Sequence, residues 1–257
     1  MRDQNEDYAA VHASTGPDDA WDRPPLFVVA DGMGGHAAGE IASRTAVETA
    51  LNVWTKGAPT SGSKGLRTAV RAANLAVIDA GEAPGRHGMG TTVTALTLSG
   101  HEAAVAHVGD SRAYLVRGDS CTQVTVDHSR AGDMLRMRLI TAEQAATHPA
   151  RSQLTRSLGS DPLVQVDVYR QSIELGDTWV LCSDGLWDVV GSRDIVDVVR
   201  GIGTHGERAT AGDAAHRLVD LAITRGTVDN VSAVVVQVTS DRPIPPEPRR
   251  SLFRRRV

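Results

Sequence analysis

The sequence predicts an α+β fold built in layers, with antiparallel sheets and separately grouped helices. Strand-like apolar runs and helically spaced segments occur in groups, without the strict alternation that a doubly wound parallel sheet requires. The stretch 91–126 is cut into short runs by Gly100, Gly109 and the pair Gly118-Asp119, which is the pattern of hairpins. In addition, Asp31, Asp110 and Asp184 each close an apolar run, and Asp229 opens one. With the last run antiparallel to the other three, all four carboxylates emerge at one edge of the fold.

In chain order, the short run Tyr8-Ala9-Ala10-Val11 follows Asp7, and Leu26-Phe27-Val28-Val29-Ala30 leads into Asp31. Ala38, Ile41, Ala42, Ala46, Val47, Ala50, Leu51 and Trp54 then recur at helical spacing, as do Leu66, Ala69, Val70, Ala73, Ala76 and Val77. The Gly-, Ser-, Pro- and Thr-rich piece 57–63 is the loop between these two amphipathic helices. The stretch 91–126 reads as an antiparallel meander. The stretch 127–160 is polar and rich in Arg and Met, and reads as an inserted lid. Within it, Thr141-Ala142-Glu143-Gln144 is a capping box for a short helix that ends before Pro149. Strands resume at 164–169 and 178–182, helices follow at 193–199 and about 207–224, and a last strand spans 231–238. A Pro-rich linker and a basic tail occupy 241–257, leaving 1–240 as one domain.

The chain has 257 residues, 41% of them hydrophobic, which is enough for one substantial core. With few aromatics, that core is expected to be made of Val, Leu, Ile and Ala. A net charge of −4 argues against a nucleic-acid partner. The charge is uneven: residues 241–257 carry six arginines against two acids, and the remainder stands near −8. Such a tail suits an acidic partner or an anionic membrane surface. Cys121 and Cys182 are the only cysteines and are expected as reduced, buried thiols. The chain opens with no signal peptide, and no apolar run reaches the roughly 18 residues of a membrane helix, so a cytoplasmic location is expected.

Asp-Gly and Asp-Asn are ordinary turn chemistry, and Asp31-Gly32, Asp184-Gly185 and Asp229-Asn230 each fit that reading singly. Gathered at one edge, with Asp7 beside them, the carboxylates would repel one another and could not all stay ionised without a cation. An all-oxygen set favours magnesium or manganese over zinc, which prefers His and Cys.

A longer series of motifs runs nearly the length of the chain. It comprises Arg2-Asp3-Gln4-Asn5-Glu6-Asp7, Asp31-Gly32-Met33-Gly34-Gly35-His36, Gly88-Met89-Gly90-Thr91-Thr92, Gly109-Asp110-Ser111-Arg112 and Asp127-His128-Ser129. It continues with His148-Pro149, Leu158-Gly159-Ser160-Asp161, Cys182-Ser183-Asp184-Gly185-Leu186-Trp187-Asp188 and Asp229-Asn230-Val231-Ser232. In order and spacing this series resembles the metal-dependent serine/threonine protein phosphatases of the protein phosphatase 2C type, in their compact bacterial form. The resemblance implies a four-layer α-β-β-α sandwich, in which two antiparallel sheets are flanked by helices and a lid is inserted. It implies hydrolysis of phosphoserine and phosphothreonine in proteins by a metal-bridging hydroxide, opposing a bacterial Ser/Thr kinase. The cofactors would be two Mn2+ or Mg2+ ions, with a third, weaker one. Asp31 would bridge the pair, Gly32 would offer its carbonyl, and Asp184 and Asp229 would hold the second ion. Asp110 would bind the third ion with Asp184, Glu6 and Asp7 would contact the metals or their waters, and Arg2 would bind the phosphate.

Departures from the family pattern set further expectations. Met33 stands where many eukaryotic members have a histidine proposed as the general acid, and methionine cannot donate that proton. His36 is therefore the candidate acid, alongside a metal-bound water. Relatives place a glycine before the Ile-Thr that opens the lid helix, and Arg138 stands near that point here. Relatives also usually carry a short strand before Arg2, so the expectation is that either the start codon is misassigned or the first sheet lacks an edge strand. The aspartyl-phosphate phosphatases use an Asp-x-Asp motif, which Asp31-Gly32-Met33 lacks. A degenerate, merely binding phosphatase fold is expected to lose acidic residues that are all present here.

Overall fold

The computed structural model describes residues 4–13, 24–34, 38–56, 62–201 and 209–240. Its chain order begins β1 (Asp7–His12), β2 (Leu26–Met33), α1 (Ala38–Lys56) and α2 (Gly62–Gly81). Next come β3 (Gly90–Thr91), β4 (Val93–Ser99), β5 (Glu102–Val108), β6 (Arg112–Arg117) and β7 (Ser120–Gln123). The segment 124–166 carries only the short helices α3 (Arg130–Arg136) and α4 (Ala142–Ala146). β8 (Asp167–Ser172), β9 (Thr178–Cys182), α5 (Asp184–Trp187), α6 (Ser192–Arg200), α7 (Ala211–Thr224) and β10 (Ala233–Gln237) complete the order.

One sheet runs β1-β2-β4-β5-β8, with β3 added to the end of β2, and the second runs β10-β9-β6-β7. Every pairing is antiparallel. The alternation of side chains along the strands builds three apolar layers. Leu26, Val28 and Ala30 of β2 face Ala42, Ala46, Leu66 and Val70 of α1 and α2. Val29 of β2 and Leu96 of β4 instead meet Leu115, Trp179 and Leu181 between the sheets. Tyr114, Val180 and Cys182 pack outward on Ile195, Val199, Leu218 and Ala222 of α6 and α7. This is the four-layer α-β-β-α sandwich.

Several boundaries differ from those read in the sequence. Gly62 and Ser63, expected in a loop, open α2, where Ser63 is buried. The stretch 91–126 is not one meander, because β5 and β6 belong to different sheets and the turn 109–111 crosses between them. The strand expected at 164–169 begins at Asp167; Val164 and Val166 are buried under the helices, but pairing with β5 starts only at His107↔Asp167. α7 starts at Ala211, where the Thr210 hydroxyl caps Asp213 and Asp213 reaches back to the Thr210 amide. Glu207, expected at its start, lies outside the described residues. Both cysteines are free thiols: Cys182 is buried, but Cys121 is only half-buried. Among the described residues, no helix is long and apolar enough to cross a membrane.

The segment 127–160 lies outside both sheets and is pinned along its base. Thr91 and Leu158 exchange backbone hydrogen bonds, and the Thr155 amide donates to the His128 carbonyl at 2.8 Å. The capping box at Thr141 and Gln144 forms, and α4 ends at Ala146, ahead of Pro149. Arg138 has φ +57°, the left-handed conformation in which glycine is at home.

Candidate metal centre

At one end of the sandwich the apolar middle layer turns polar. Continuing each strand by two residues from its inward-facing apolar side chain leads from Val29 to Asp31, from Val105 to His107, from Leu96 back to Thr94 and from Ala113 back to Ser111. Asp31 lies within β2, two residues short of its end, and is directly opposite Asp7 of β1, so both carboxyls share a face. The Asp31 amide donates to Thr92 Oγ1 at 2.9 Å, and Thr92 Oγ1 meets Ser111 Oγ at 2.7 Å. Hydroxyls thus occupy the layer immediately beneath the carboxylates.

Close backbone approaches hold the acidic loops together. A Cβ on Gly32 would sit 2.0 Å from the Gly39 carbonyl oxygen and 2.7 Å from that of Glu6, so α1 can rest on β2 only because both positions are glycine. A Cβ on Gly39 would likewise meet Glu6 Oε1 at 2.3 Å, which places that carboxyl against the first turn of α1, where helix amides favour negative charge. Glu6 is fastened by its amide to Asn230 Oδ1 at 2.9 Å and by its carbonyl to the Ser43 hydroxyl at 2.6 Å. At the second sheet, a Cβ on Gly185 would meet the Asn230 carbonyl oxygen at 2.0 Å, so the start of α5 at Asp184-Gly185 is pressed against the Asp229-Asn230 segment. Ser183 links them to β1, donating to Asp7 Oδ2 at 2.6 Å while accepting from the Ser232 amide at 3.0 Å.

Asp110 occupies the crossing between the sheets. Gly109 before it has φ +112°, and a Cβ there would lie 2.5 Å from the Thr92 side chain. The Trp187 indole donates to the Asp110 carbonyl at 3.0 Å. Arg112, stacked 3.6 Å over the Trp187 ring, forms a two-pronged pair with Asp127 through Nε at 3.0 Å and Nη2 at 2.7 Å. That pair ties the crossing to the start of the inserted segment.

These carboxyls strain one another electrostatically. Burial, with Asp184 and Asp229 nearby, pushes Asp7 up to about 6 despite hydrogen bonds from Ser183 and Ser232. Asp110 is pushed up to about 8 by burial and then by Asp184 and Asp127. Asp31 is raised well above the usual carboxylate range by burial, by the charges of Asp7, Asp184 and Asp110, and by a hydrogen bond with Asp184. Among the described residues, no three His, Cys, Asp or Glu side chains already converge as a ligand shell. Protonation or a bound cation would relieve that repulsion. The donor set fits a hard divalent ion: it is all oxygen, Asp7 and Asp110 are buried while Asp31, Asp184 and Asp229 are half-buried, and Asp7 Oδ1 has no hydrogen-bond partner.

Asp7, Asp31, Asp110 and Asp184, expected from the sequence at one edge, act on one another electrostatically, and Asp229 acts on Asp7. Glu6 and Gly32 adjoin them, the Gly32 amide donating to the Glu6 carbonyl at 3.0 Å. Arg2 and His36 lie outside the described residues. Sequence reasoning assigned no role to Ser43, Thr92, Ser111, Ser183, Trp187 or Asn230, which fix the acidic loops in place. Most of them stand inside the motifs quoted above, beside the acids they serve. Ser43 does not, and only its place on the buried face of α1 could have drawn notice.

A family model described as Protein phosphatase 2C matches residues 1–231. The serine/threonine phosphatase stp of Listeria innocua is 31% identical over 242 residues, covering 92% of this chain and 91% of its own length. Among solved structures, the Mycobacterium tuberculosis serine/threonine phosphatase PstP matches with a TM-score of 0.77 and 35% identity, over 93% of this chain and 94% of that one. The catalytic domain of PstP in complex with two manganese ions matches with a TM-score of 0.75 and 34% identity over the same shares.

Proposed function

The chain belongs to the protein phosphatase 2C family, and from that premise we propose how its own residues carry out serine/threonine protein phosphatase chemistry at the carboxylate-lined end of the sandwich. The observation that carries the reading is the gathering of Asp7, Asp31, Asp110 and Asp184 at one pole, with Asp7 opposite Asp31 and bonded to Ser183 beside Asp184, in all-oxygen chemistry. Asp31 and the Gly32 carbonyl, with Asp184 and Asp229, would hold two Mn2+ or Mg2+ ions. Asp110, with Asp184, would hold a third, and Glu6 and Asp7 would contact the metals or their waters. When bound, such an ion pair lowers the pKa of water near neutrality and offsets charge on the attacking and leaving oxygens at phosphorus.

The protein's part is then to hold these carboxyls rigidly through the hydroxyl and amide bonds of Thr92, Ser183 and Asn230. Arg2 would bind the phosphate, since a guanidinium can grip two of its oxygens at once, and His36 is the candidate general acid. The substrates are phosphorylated proteins, and a bacterial Ser/Thr kinase would supply them. The segment 127–160 would act as a lid on the 1–240 domain. The 241–257 tail would meet an acidic partner or anionic membrane surface, and the protein would work in the cytoplasm.

The test is hydrolysis of an aryl phosphate and of a phosphothreonine peptide. Turnover is expected to require added Mn2+ or Mg2+ and to vanish with a chelator. Asp31→Asn and Asp184→Asn are expected to lose orders of magnitude in turnover while keeping their circular dichroism. Near-wild-type turnover in either variant would refute these ligand assignments.

A further inference from the structure

His128 is fully buried, yet all four of its polar groups are engaged across the base of the inserted segment. Its amide donates to the Gly109 carbonyl at 2.7 Å, and its carbonyl accepts from Thr155. Nδ1 accepts from the Gly109 amide at 3.0 Å. That bond uses the Nδ1 lone pair, so the proton of the neutral ring sits on Nε2, which lies 3.0 Å from Asp167 Oδ2. Arg156 Nη1 lies 3.0 Å from the same Nε2 and 3.0 Å from Asp167 Oδ1. Since both nitrogens carry hydrogens, Asp167 is the acceptor for both. Arg136 adds a second positive contact to Asp167 at 3.7 Å. Arg136 and Arg156 belong to the inserted segment, whereas Asp167 opens β8.

The imidazole therefore spans two places. One nitrogen grips the amide and the backbone the carbonyl of Gly109, the residue before Asp110; the other nitrogen joins the carboxylate on which the inserted segment's arginines converge. Gly109 has no side chain with which to anchor itself, and its left-handed backbone leaves the turn dependent on such outside partners. The His107 ring, with its centroid 4.7 Å away, backs the His128 ring and removes its freedom to swing.

We propose that His128 is a positioning residue, setting the Gly109–Asp110 turn and linking that setting, through Asp167, to the inserted segment. The inference rests on the reading of Asp110 as a ligand of the weaker metal. Its consequence is that affinity at that one site depends on a ring that touches no metal and on a carboxylate one ring-length further away.

The experiment titrates Mn2+ alone by calorimetry into metal-free full-length wild type, Asp110→Ala, His128→Gln, His128→Asn and Asp167→Asn, with thermal melting to confirm folding. Asp110→Ala is expected to lose the weakest binding step and keep the others. His128→Gln reaches toward Asp167 but offers no acceptor at the Nδ1 position. It is expected to weaken the same step roughly 10- to 100-fold, the usual cost of removing a partner behind a metal ligand. His128→Asn places its Oδ1 near the Nδ1 position but does not reach Asp167, and is expected to weaken the step only about as much as breaking the Asp167 link does, by less than the Gln variant. Asp167→Asn is expected to weaken it as well, by less than the Gln variant.

If Asp110→Ala binds Mn2+ like wild type, the metal reading of Asp110 fails and takes this inference with it. If Asp110→Ala loses the step while His128→Gln and Asp167→Asn keep it, the positioning role alone is overturned. Equal weakening of every step, or Asn behaving like Gln, would likewise overturn it. Should the His128 variants not fold, Asp167→Asn decides: an unchanged weak step rejects the link.

Discussion

Asp110 keeps its proton near neutral pH in the metal-free protein, because burial and the neighbouring Asp184 and Asp127 push it up to about 8. Asp7, at about 6, titrates below it, and Asp31 is raised as well. A carboxyl whose folded pKa lies above its unfolded value stabilises the fold at low pH and loses that contribution as pH rises through the folded value. The metal-free protein is therefore expected to lose stability from about pH 4, where the unfolded carboxyls ionise, up to about 6 through Asp7 and up to about 8 through Asp110, at up to about 1.4 kcal/mol per pH unit for each proton involved. Saturating Mn2+ should flatten the trend, which melting curves across that range would show. Binding must also expel these protons. Calorimetry at pH 7 in buffers of different ionisation heat is expected to detect proton release, and no release would contradict the protonated state. The acids were legible in the sequence because each adjoins an apolar run. The hydroxyls beneath them were not, since a serine such as Ser43 declares its partner only once α1 has been docked on β2.

Arg138 shows how an element's end can be strained without being displaced. The Leu139 amide donates to the Met134 carbonyl and the Arg138 amide to that of Leu135, both at 2.9 Å, so α3 closes in a Schellman motif with Arg138 at the left-handed position. A side chain there costs about 1–2 kcal/mol, part of which glycine would return as chain entropy in the unfolded state. Arg138→Gly is expected to stabilise this turn by about 0.5–1 kcal/mol, read as slower hydrogen exchange at the Leu139 amide. Faster exchange would mean that the arginine side chain holds the turn. The α1–β2 contact predicts the opposite sign. Gly32→Ala would drive a Cβ into the Gly39 and Glu6 backbone oxygens and is expected to cost about 3 kcal/mol in denaturant unfolding. A loss under about 0.5 kcal/mol, the scale of a neutral surface change, would show that α1 can back away. Element type was readable from periodicity, and the Thr141 capping box from four residues. The start of β8 was not: Val164 and Val166 satisfy the same apolar pattern as a strand while packing under helices without a ladder.

At the scale of the whole molecule, the sheets set two poles. β10 begins opposite Cys182, beside the carboxylates, and ends opposite Thr178, where Val238 bonds to Asp177. The chain therefore leaves the sandwich at the pole away from the site, and deletion after Thr239 is expected to leave aryl phosphate hydrolysis unchanged. A fall of more than about threefold, roughly 0.7 kcal/mol in the barrier, would tie the tail to the site. The layered class was legible from the grouping of elements, but the division of 91–126 between two sheets was not, because a hairpin and a crossing look alike in a run of short strands. The site also joins the two ends of the sequence: Glu6 bonds to Asn230, and Ser183 bridges Asp7 to Ser232. A chain made from its amino end thus lacks the Asn230 and Ser232 contacts that fasten its first acids until residues 230–232 have been added. The complete acidic set, and with it the phosphatase chemistry, is then expected only after Asp229 has emerged from the ribosome.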